Sequence, residues 1–210
     1  MPDIPAQGDA RNRIIGDDDA GFVARSRQGD TDAFAVLVRR HQKKMLNIAC
    51  RMIGDYDEAC DVVQESFISA YRAIGKFRGD SRFSTWLGGI VLNQARNHLR
   101  QKNARSRNEE ISLDQPAGFA EKALLNTIRS GGDSVIECLE KKELSAKIQA
   151  CISALDGKQR EVLVLRDIQE YSYEEIGDML KLPEGTVKSR LFRARNALKE
   201  GLLKIFGDLR

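Results

Sequence analysis

The sequence predicts an all-α protein built as two small helical domains joined by a flexible linker. Three observations carry this expectation. Apolar residues recur at spacings of three and four in each long segment. Residues 103–133 gather Pro116, Gly118, Gly131 and Gly132 among scattered charges, the composition of a tether. Hydrophobic content of 41% against 31% charged, in 210 residues, supports small helical cores and argues against one large one.

Residues 1–20 form a polar N-terminal extension rich in Asp and Gly. A short helix near Asp19 to Gln28 then leads through Gly29-Asp30 into a long amphipathic segment carrying Phe34, Leu37, Met45, Ile48 and Met52, closed by Gly54-Asp55. In the next helix Val62, Val63, Phe67, Ala70, Tyr71 and Ile74 face inward and the acids stay outside. Gly75 to Arg82 interrupts the chain, and Phe83 to Gln101 resumes it with Trp86, Leu87, Ile90 and Val91 on the buried side. Residues 21–102 are thus expected to be the first domain. One weak helix is expected in the linker around Ala120 to Ile128. Residues 134–210 are expected to be the second domain, through Val135, Ile136, Leu139, Leu144 and Ile148, a helix start at Asp156 with Gln159, and the apolar run Val162 to Ile168.

The most specific local signal is Tyr171 to Leu198, YSYEEIGDMLKLPEGTVKSRLFRARNAL, two helices around a tight turn. Ser172 and Glu175 have the spacing of a capping box, in which a hydroxyl and a carboxylate each satisfy an orphan backbone donor. Leu182-Pro183-Glu184-Gly185 breaks the helical period, and Val187, Leu191 and Ala194 restart it. The layout is that of a helix-turn-helix reader of DNA. On the second helix Lys188, Ser189, Phe192, Arg193 and Arg195 fall near the free face, where they can reach bases and phosphates in a major groove about 12 Å wide. Arg190 is a further candidate, although its place beside Leu191 also fits a contact with a neighbouring helix.

Net charge is only +3, so affinity for nucleic acid has to come from local clusters. Such clusters exist. Residues 93–107 hold Arg96, Arg100, Lys102, Arg105 and Arg107 with no acid, whereas residues 55–65 hold Asp55, Asp57, Glu58, Asp61 and Glu65 with no base. These two faces are expected to meet different partners. No apolar run approaches the roughly 20 residues of a membrane span, and residues 1–21 lack the apolar core of a signal peptide, so a cytoplasmic protein with no membrane insertion is expected. Cys50, Cys60, Cys138 and Cys151 form no CxxC pair, and His41 and His98 stand apart from them, so neither a metal site nor a cofactor is expected.

The second constellation is KFRGDSRFSTWLGGIVLNQARNHLRQK, Lys76 to Lys102, a glycine-containing loop with Phe77, Phe83 and Trp86 followed by a helix bearing Asn93, Asn97 and cations. Such a surface suits unstacked bases, with stacking worth about 1–3 kcal/mol per base; the competing role for Phe83 and Trp86 is core packing. Together with DVVQESFISAYRAIG and the helix-turn-helix, this segment closely resembles the extracytoplasmic-function (group 4) sigma factors of the sigma-70 family, of the sigma-E type. The resemblance runs from about residue 21 to 205.

That resemblance implies a non-enzymatic subunit directing RNA polymerase to promoters, with sigma domain 2 first and sigma domain 4 second. It implies three partners: core RNA polymerase through its beta-prime coiled coil and beta flap, promoter DNA, and an anti-sigma factor. By motif, Asp61, Gln64 and Glu65 correspond to the surface for the beta-prime coiled coil. Asn93 corresponds to the residue holding a flipped minus-ten base, with Phe77, Arg78 and Ser84 in the adjoining loop and Arg96, Asn97 and Arg100 contacting nearby DNA. Lys188, Ser189, Phe192 and Arg193 correspond to readers of the minus-thirty-five element. Two features depart from the family pattern: the N-terminal extension, and Gly88-Gly89 where a bulkier pair is common, a change that fits either close packing or a softened helix. Two alternatives set against this reading are a helix-turn-helix regulator that binds duplex DNA without polymerase, and a metal-dependent nuclease built on Asp55, Asp57, Glu58 and Asp61. Acids at a helix start are favoured by its dipole, which argues against the nuclease.

Overall fold

Local chemistry sets the helix boundaries. In the computed structural model, Asp30 and Asp55 each cap a long helix, accepting at 2.9 Å from the backbone N–H of Ala33 and Glu58 respectively. Gly54, at φ 87°, ends the first of these in the left-handed conformation that glycine adopts without strain. The structure describes residues 18–108 and 135–207, with side chains for 18–106 and 143–207. The helix expected at Ala120 to Ile128 and nearly all of the N-terminal extension and linker lie outside the described residues.

Eight α-helices are present among the described residues, with no strand. The first four are α1 (Ala20–Arg27), α2 (Thr31–Ile53), α3 (Tyr56–Ala73), followed by a 3-10 turn at Ile74–Lys76, and α4 (Phe83–Asn108). The others are α5 (Val135–Ser153), α6 (Gly157–Leu163), α7 (Tyr173–Leu180) and α8 (Glu184–Phe206), with a π-helical turn at Val164–Ile168 after α6. In the first bundle α2, α3 and α4 pack against one another around Leu37, Met45, Ile48, Met52, Phe83 and Leu87. The second bundle gathers α5, α6 and α7 around α8.

The two bundles are docked. Composition argues for two modest cores, yet docking joins the buried residues into one cluster running from Val23 to Ala194. Helix α7 lies on α4, while α2 meets α5, α6 and the π-helical turn. Arg160 is the main polar tie: its guanidinium donates to the carbonyls of Ile152, Ser153 and Leu155 at the end of α5 and, at 2.7 Å, to that of Met52 near the end of α2. The Met52, Ile152 and Ser153 carbonyls lie in the last turns of α2 and α5, and that of Ile152 also accepts from the Leu155 N–H at 3.2 Å, so one cation helps finish two helix ends at once. Arg51 adds a bond to Gln149 of 2.9 Å, returned by the Gln149 amide to the Arg51 carbonyl.

Gly88 and Gly89 explain the close approach of α7. A Cβ at Gly88 would lie 3.2 Å from Met179 Cε and 3.5 Å from the Tyr171 hydroxyl, and one at Gly89 3.8 Å from the Met179 carbonyl oxygen. The helix gives up intrinsic stability of about 1 kcal/mol per glycine relative to alanine. In return α7 seats directly on its backbone.

Glu58 at the start of α3 ties that helix to α4, accepting from Lys102 at 2.7 Å and facing His98 Nε2 at 2.9 Å. Partial burial pushes its carboxyl upward, but the Lys102 and His98 bonds outweigh this and leave it below its ordinary 4.5. A depressed carboxyl contributes stability above its unfolded value and loses it as pH falls through the folded one. The stability difference between wild type and Glu58→Gln in urea is therefore expected to hold from pH 7 to about 5 and to shrink below pH 4.5. A constant difference down to pH 3 would show that the charge contributes nothing.

Candidate nucleic-acid interface

Helix α4 brings Asn93, Arg96, Asn97 and Arg100 to one face, because positions three, four and seven apart on a helix align. Asn93, Asn97 and Arg100 are exposed and Arg96 is half-buried. In front of this face the loop after the 3-10 turn is shaped by aromatics packed edge-on and tilted. Phe83 is fully buried, with Phe77 6.1 Å and Trp86 5.7 Å from it between ring centroids, and Phe77 sits 4.9 Å from Trp86. Of the two roles open to these rings, Phe83 and Phe77 take the packing one, while half-buried Trp86 reaches the surface. Arg78 is exposed and pairs with Asp80 at 2.7 Å, and Ser84 offers its carbonyl to the Tyr171 hydroxyl at 3.3 Å. A cleft of about 840 Å³ opens between the loop, α4 and the end of α7, lined by Phe77, Trp86, Asn93 and Arg96 on one side and Asp178 and Lys181 on the other.

The α7–α8 pair is a formed helix-turn-helix. Ser172 accepts from the Glu175 N–H at 3.1 Å and Glu175 accepts from the Ser172 N–H at 2.8 Å, completing the capping box. The turn differs in detail from the expectation. Lys181, not a glycine, takes the left-handed position at φ 56°, and α8 begins at Glu184, so Gly185 falls within its first turn. The glycine that the turn requires is Gly177, where a Cβ would lie 2.9 Å from the Leu182 carbonyl oxygen.

Along α8 the apolar stripe of Val187, Leu191 and Ala194 is buried, which leaves Lys188, Ser189, Phe192 and Arg193 exposed in its N-terminal half. Phe192 is 68% exposed, a large phenyl that no core residue covers. The cations differ in their freedom. Arg195 is engaged by both oxygens of Asp167 at 2.6 and 2.9 Å, and Lys188 by Glu184 at 2.6 Å. Arg190 is half-buried and Arg193 is exposed. On the opposite bundle Asp61, Gln64 and Glu65 project from α3 as an exposed acidic strip beside Ile68, itself 43% exposed.

Family models of sigma-70 region 2 and sigma-70 region 4 match residues 37–105 and 145–198, in that order. The chain is 39% identical over 184 residues to the RNA polymerase sigma-H factor of Pseudomonas aeruginosa, covering 88% of this chain and 93% of that one. The chain belongs to the sigma-70 family of RNA polymerase sigma factors, in its extracytoplasmic-function group. This sigma factor is also 37% identical over 180 residues to the ECF RNA polymerase sigma-E factor of Escherichia coli, covering 86% of this chain and 92% of the relative. In three dimensions it resembles CnrH, solved in complex with the cytosolic domain of CnrY, with a TM-score of 0.61 and 27% identity over 88% of this chain and 96% of the other. The sigma factor RpoE of Bartonella quintana, at 23% identity and a TM-score of 0.60, shares the fold over 80% of this chain and 96% of its own.

The sequence reading of this sigma factor did not anticipate the contacts that hold the second bundle on the first. Glu161 receives Arg96, Lys44 lies 3.8 Å over the Tyr171 ring, and Glu175 accepts from Thr85 at 3.3 Å. Burial lowers the Lys44 pKa and raises that of Tyr171. One signal was visible: Glu161 precedes the unbroken apolar run Val162 to Leu165, where a buried acid implies a partner. No helix among the described residues is long and apolar enough to cross a membrane, and no group of His, Cys, Asp or Glu there could hold a metal ion.

Proposed function

We propose that this sigma factor directs promoter-specific initiation by reading the minus-thirty-five element as duplex through α8 and the minus-ten element as melted non-template strand through α4. The observation that carries the reading is the alignment of Asn93, Arg96, Asn97 and Arg100 beside a cleft walled by Phe77 and Trp86. An extruded base needs a pocket with a polar edge, and the flanking backbone needs cations. Capture of the unstacked base offsets a few kcal/mol of unstacking and so favours the melted state. Arg78 lies on the loop before α4, and Ser84 in the first turn of that helix.

Lys188, Ser189, Phe192 and Arg193 read the major groove, Arg193 as donor to a guanine and Phe192 against a thymine methyl. Arg190 and Arg195 stand behind them, and Arg195 serves chiefly to hold α8 on the π-helical turn through Asp167. The α3 strip of Asp61, Gln64 and Glu65 docks on the beta-prime coiled coil of core polymerase, and the second bundle on the beta flap. RpoE of Bartonella quintana is solved in complex with the anti-sigma factor NepR; an anti-sigma factor is the corresponding partner in this reading.

The deciding experiment is run-off transcription with purified core RNA polymerase, with and without this chain, on promoter fragments from its own genome. Initiation that depends on the chain and shares two spaced elements supports the reading; binding of duplex DNA alone, without initiation, replaces it with an ordinary helix-turn-helix regulator. Arg193→Ala is expected to weaken recognition of the minus-thirty-five element by about 1–3 kcal/mol. Promoter competition measures this, and an equal loss on scrambled elements would reassign Arg193 to phosphate contact.

A further inference from the structure

Phe83, the buried ring beside Phe77 and Trp86, also meets the imidazole of His41 on α2, 5.4 Å away between centroids and tilted at 55°. His41 Nε2 faces Asp19 Oδ2 at 2.5 Å, and Arg40 donates at 3.0 Å both to Asp19 Oδ1 and to the Asp18 carbonyl. The His41 and Asp19 side chains are only 14% and 8% exposed. Asp19 is the N-cap residue of α1, a position where an aspartate ordinarily accepts from the backbone N–H groups of the first turn. Its side chain makes no such bond and is turned onto α2 instead. An acid this buried persists only with partners, and Asp19 has taken its two from successive residues of α2.

We propose that His41 is a positioning residue for minus-ten capture: Asp19 locks the imidazole, the imidazole fixes the Phe83 ring, and Phe83 in turn sets Phe77 and Trp86 at the cleft. The inference rests on the reading of α4 and its loop as the minus-ten surface. An imidazole turns about χ1 and χ2, and a bond at Nε2 selects one orientation among those the backbone allows. Close-packed rings transmit that choice, because neighbours in contact cannot shift independently. A misplaced ring at His41 is therefore passed through Phe83 to the two aromatics that wall the cleft, without His41 itself touching a base. Arg40 completes the lock: it holds the other Asp19 oxygen and lies 4.7 Å over the Phe22 ring, which fastens α1 to α2.

The test uses holoenzyme assembled with the full chain as wild type, Asp19→Ala, His41→Gln and Asp19→Asn. Asp19→Ala frees the ring to turn, His41→Gln gives Asp19 a polar partner but sets no ring against Phe83, and Asp19→Asn keeps an acceptor for Arg40 and a donor for the imidazole. Capture is read as affinity for a labelled single-stranded oligonucleotide, the non-template minus-ten strand of a promoter that wild-type holoenzyme transcribes. Trp86 is the one tryptophan of the chain, so the emission of the free chain reads the loop directly. Asp19→Ala and His41→Gln are expected to shift that emission to the red and to weaken capture about tenfold, the penalty when the loop is correctly set about a tenth of the time. Affinity for core polymerase should stay at the wild-type value, and Asp19→Asn should restore both readings. Unchanged capture or unchanged emission in the first two variants overturns the proposal. Loss of capture in step with loss of core binding also overturns it, since the cluster is then a structural tie and nothing more. Failure of Asp19→Asn to restore capture assigns the effect to the Asp19 charge and overturns it as well. Absence of initiation by wild-type holoenzyme overturns the sigma reading and this inference with it; initiation accompanied by any of the three preceding results overturns the inference alone.

Discussion

Phe83→Ala is expected to destabilise the first bundle by about 3–5 kcal/mol, the range for removing a fully buried aromatic. Phe83 is 0% exposed at the first position of α4, with its ring against Phe77, Trp86 and His41. Truncation leaves a cavity where the loop, α2 and α4 converge, and the neighbours cannot collapse into it without moving the loop. For a chain of this size the midpoint of thermal unfolding should fall by on the order of 10 °C. The same variant should lose minus-ten function before it unfolds, since Phe77 and Trp86 lose the ring that positions them. A thermal shift of only a degree or two would mean that the loop closes over the gap unaided.

The double change Asp61→Ala with Gln64→Ala is expected to do the reverse, leaving the fold intact and weakening binding to core polymerase by about 2 kcal/mol or more, the threshold of an interface hot spot. Both side chains are exposed on α3, and nothing in the bundle rests on them. Titration of labelled chain with core enzyme measures the loss, and circular dichroism shows the helices unchanged. Unaltered affinity would remove the acidic strip from the polymerase interface. Raising salt should weaken the wild type more than the variant if the strip acts through its charge.

Elements with local causes were legible in the sequence. Asp156 starts a helix as its position suggests, accepting from the Lys158 N–H at 3.0 Å, and the Ser172–Glu175 box forms in both directions. Apolar spacing found the buried stripes of α2, α3 and α8, because burial of one helix face is written in a period of three and four residues; the exception is Tyr71, expected to face inward on α3 but 39% exposed, its ring set edge-on to Phe34 at the rim of the core. The site residues on α4 could be placed on a common face for the same reason.

The rest depended on contacts between distant positions that leave no periodic trace. Arg160 reaches the Met52 carbonyl, and any residue type supplies a carbonyl, so the sequence around Met52 contains no sign of the tie. Arg96 read as a DNA cation, with its partner Glu161 lying 65 positions away. Gly88 and Gly89 left close packing and a softened helix both open, since the choice between them lies in Met179, which packs on the pair. In the helix-turn-helix, Gly185 was read as part of the break at Leu182-Pro183-Glu184-Gly185, while the space restriction falls on Gly177, inside a helix where glycine otherwise reads as a weakness.

The acidic strip on α3 stays uncovered while α7 rests on α4. Under the proposed function core polymerase can therefore engage α3 without any prior rearrangement of the bundles, and the observed rate of holoenzyme formation should climb in proportion to core concentration, the signature of a simple bimolecular encounter.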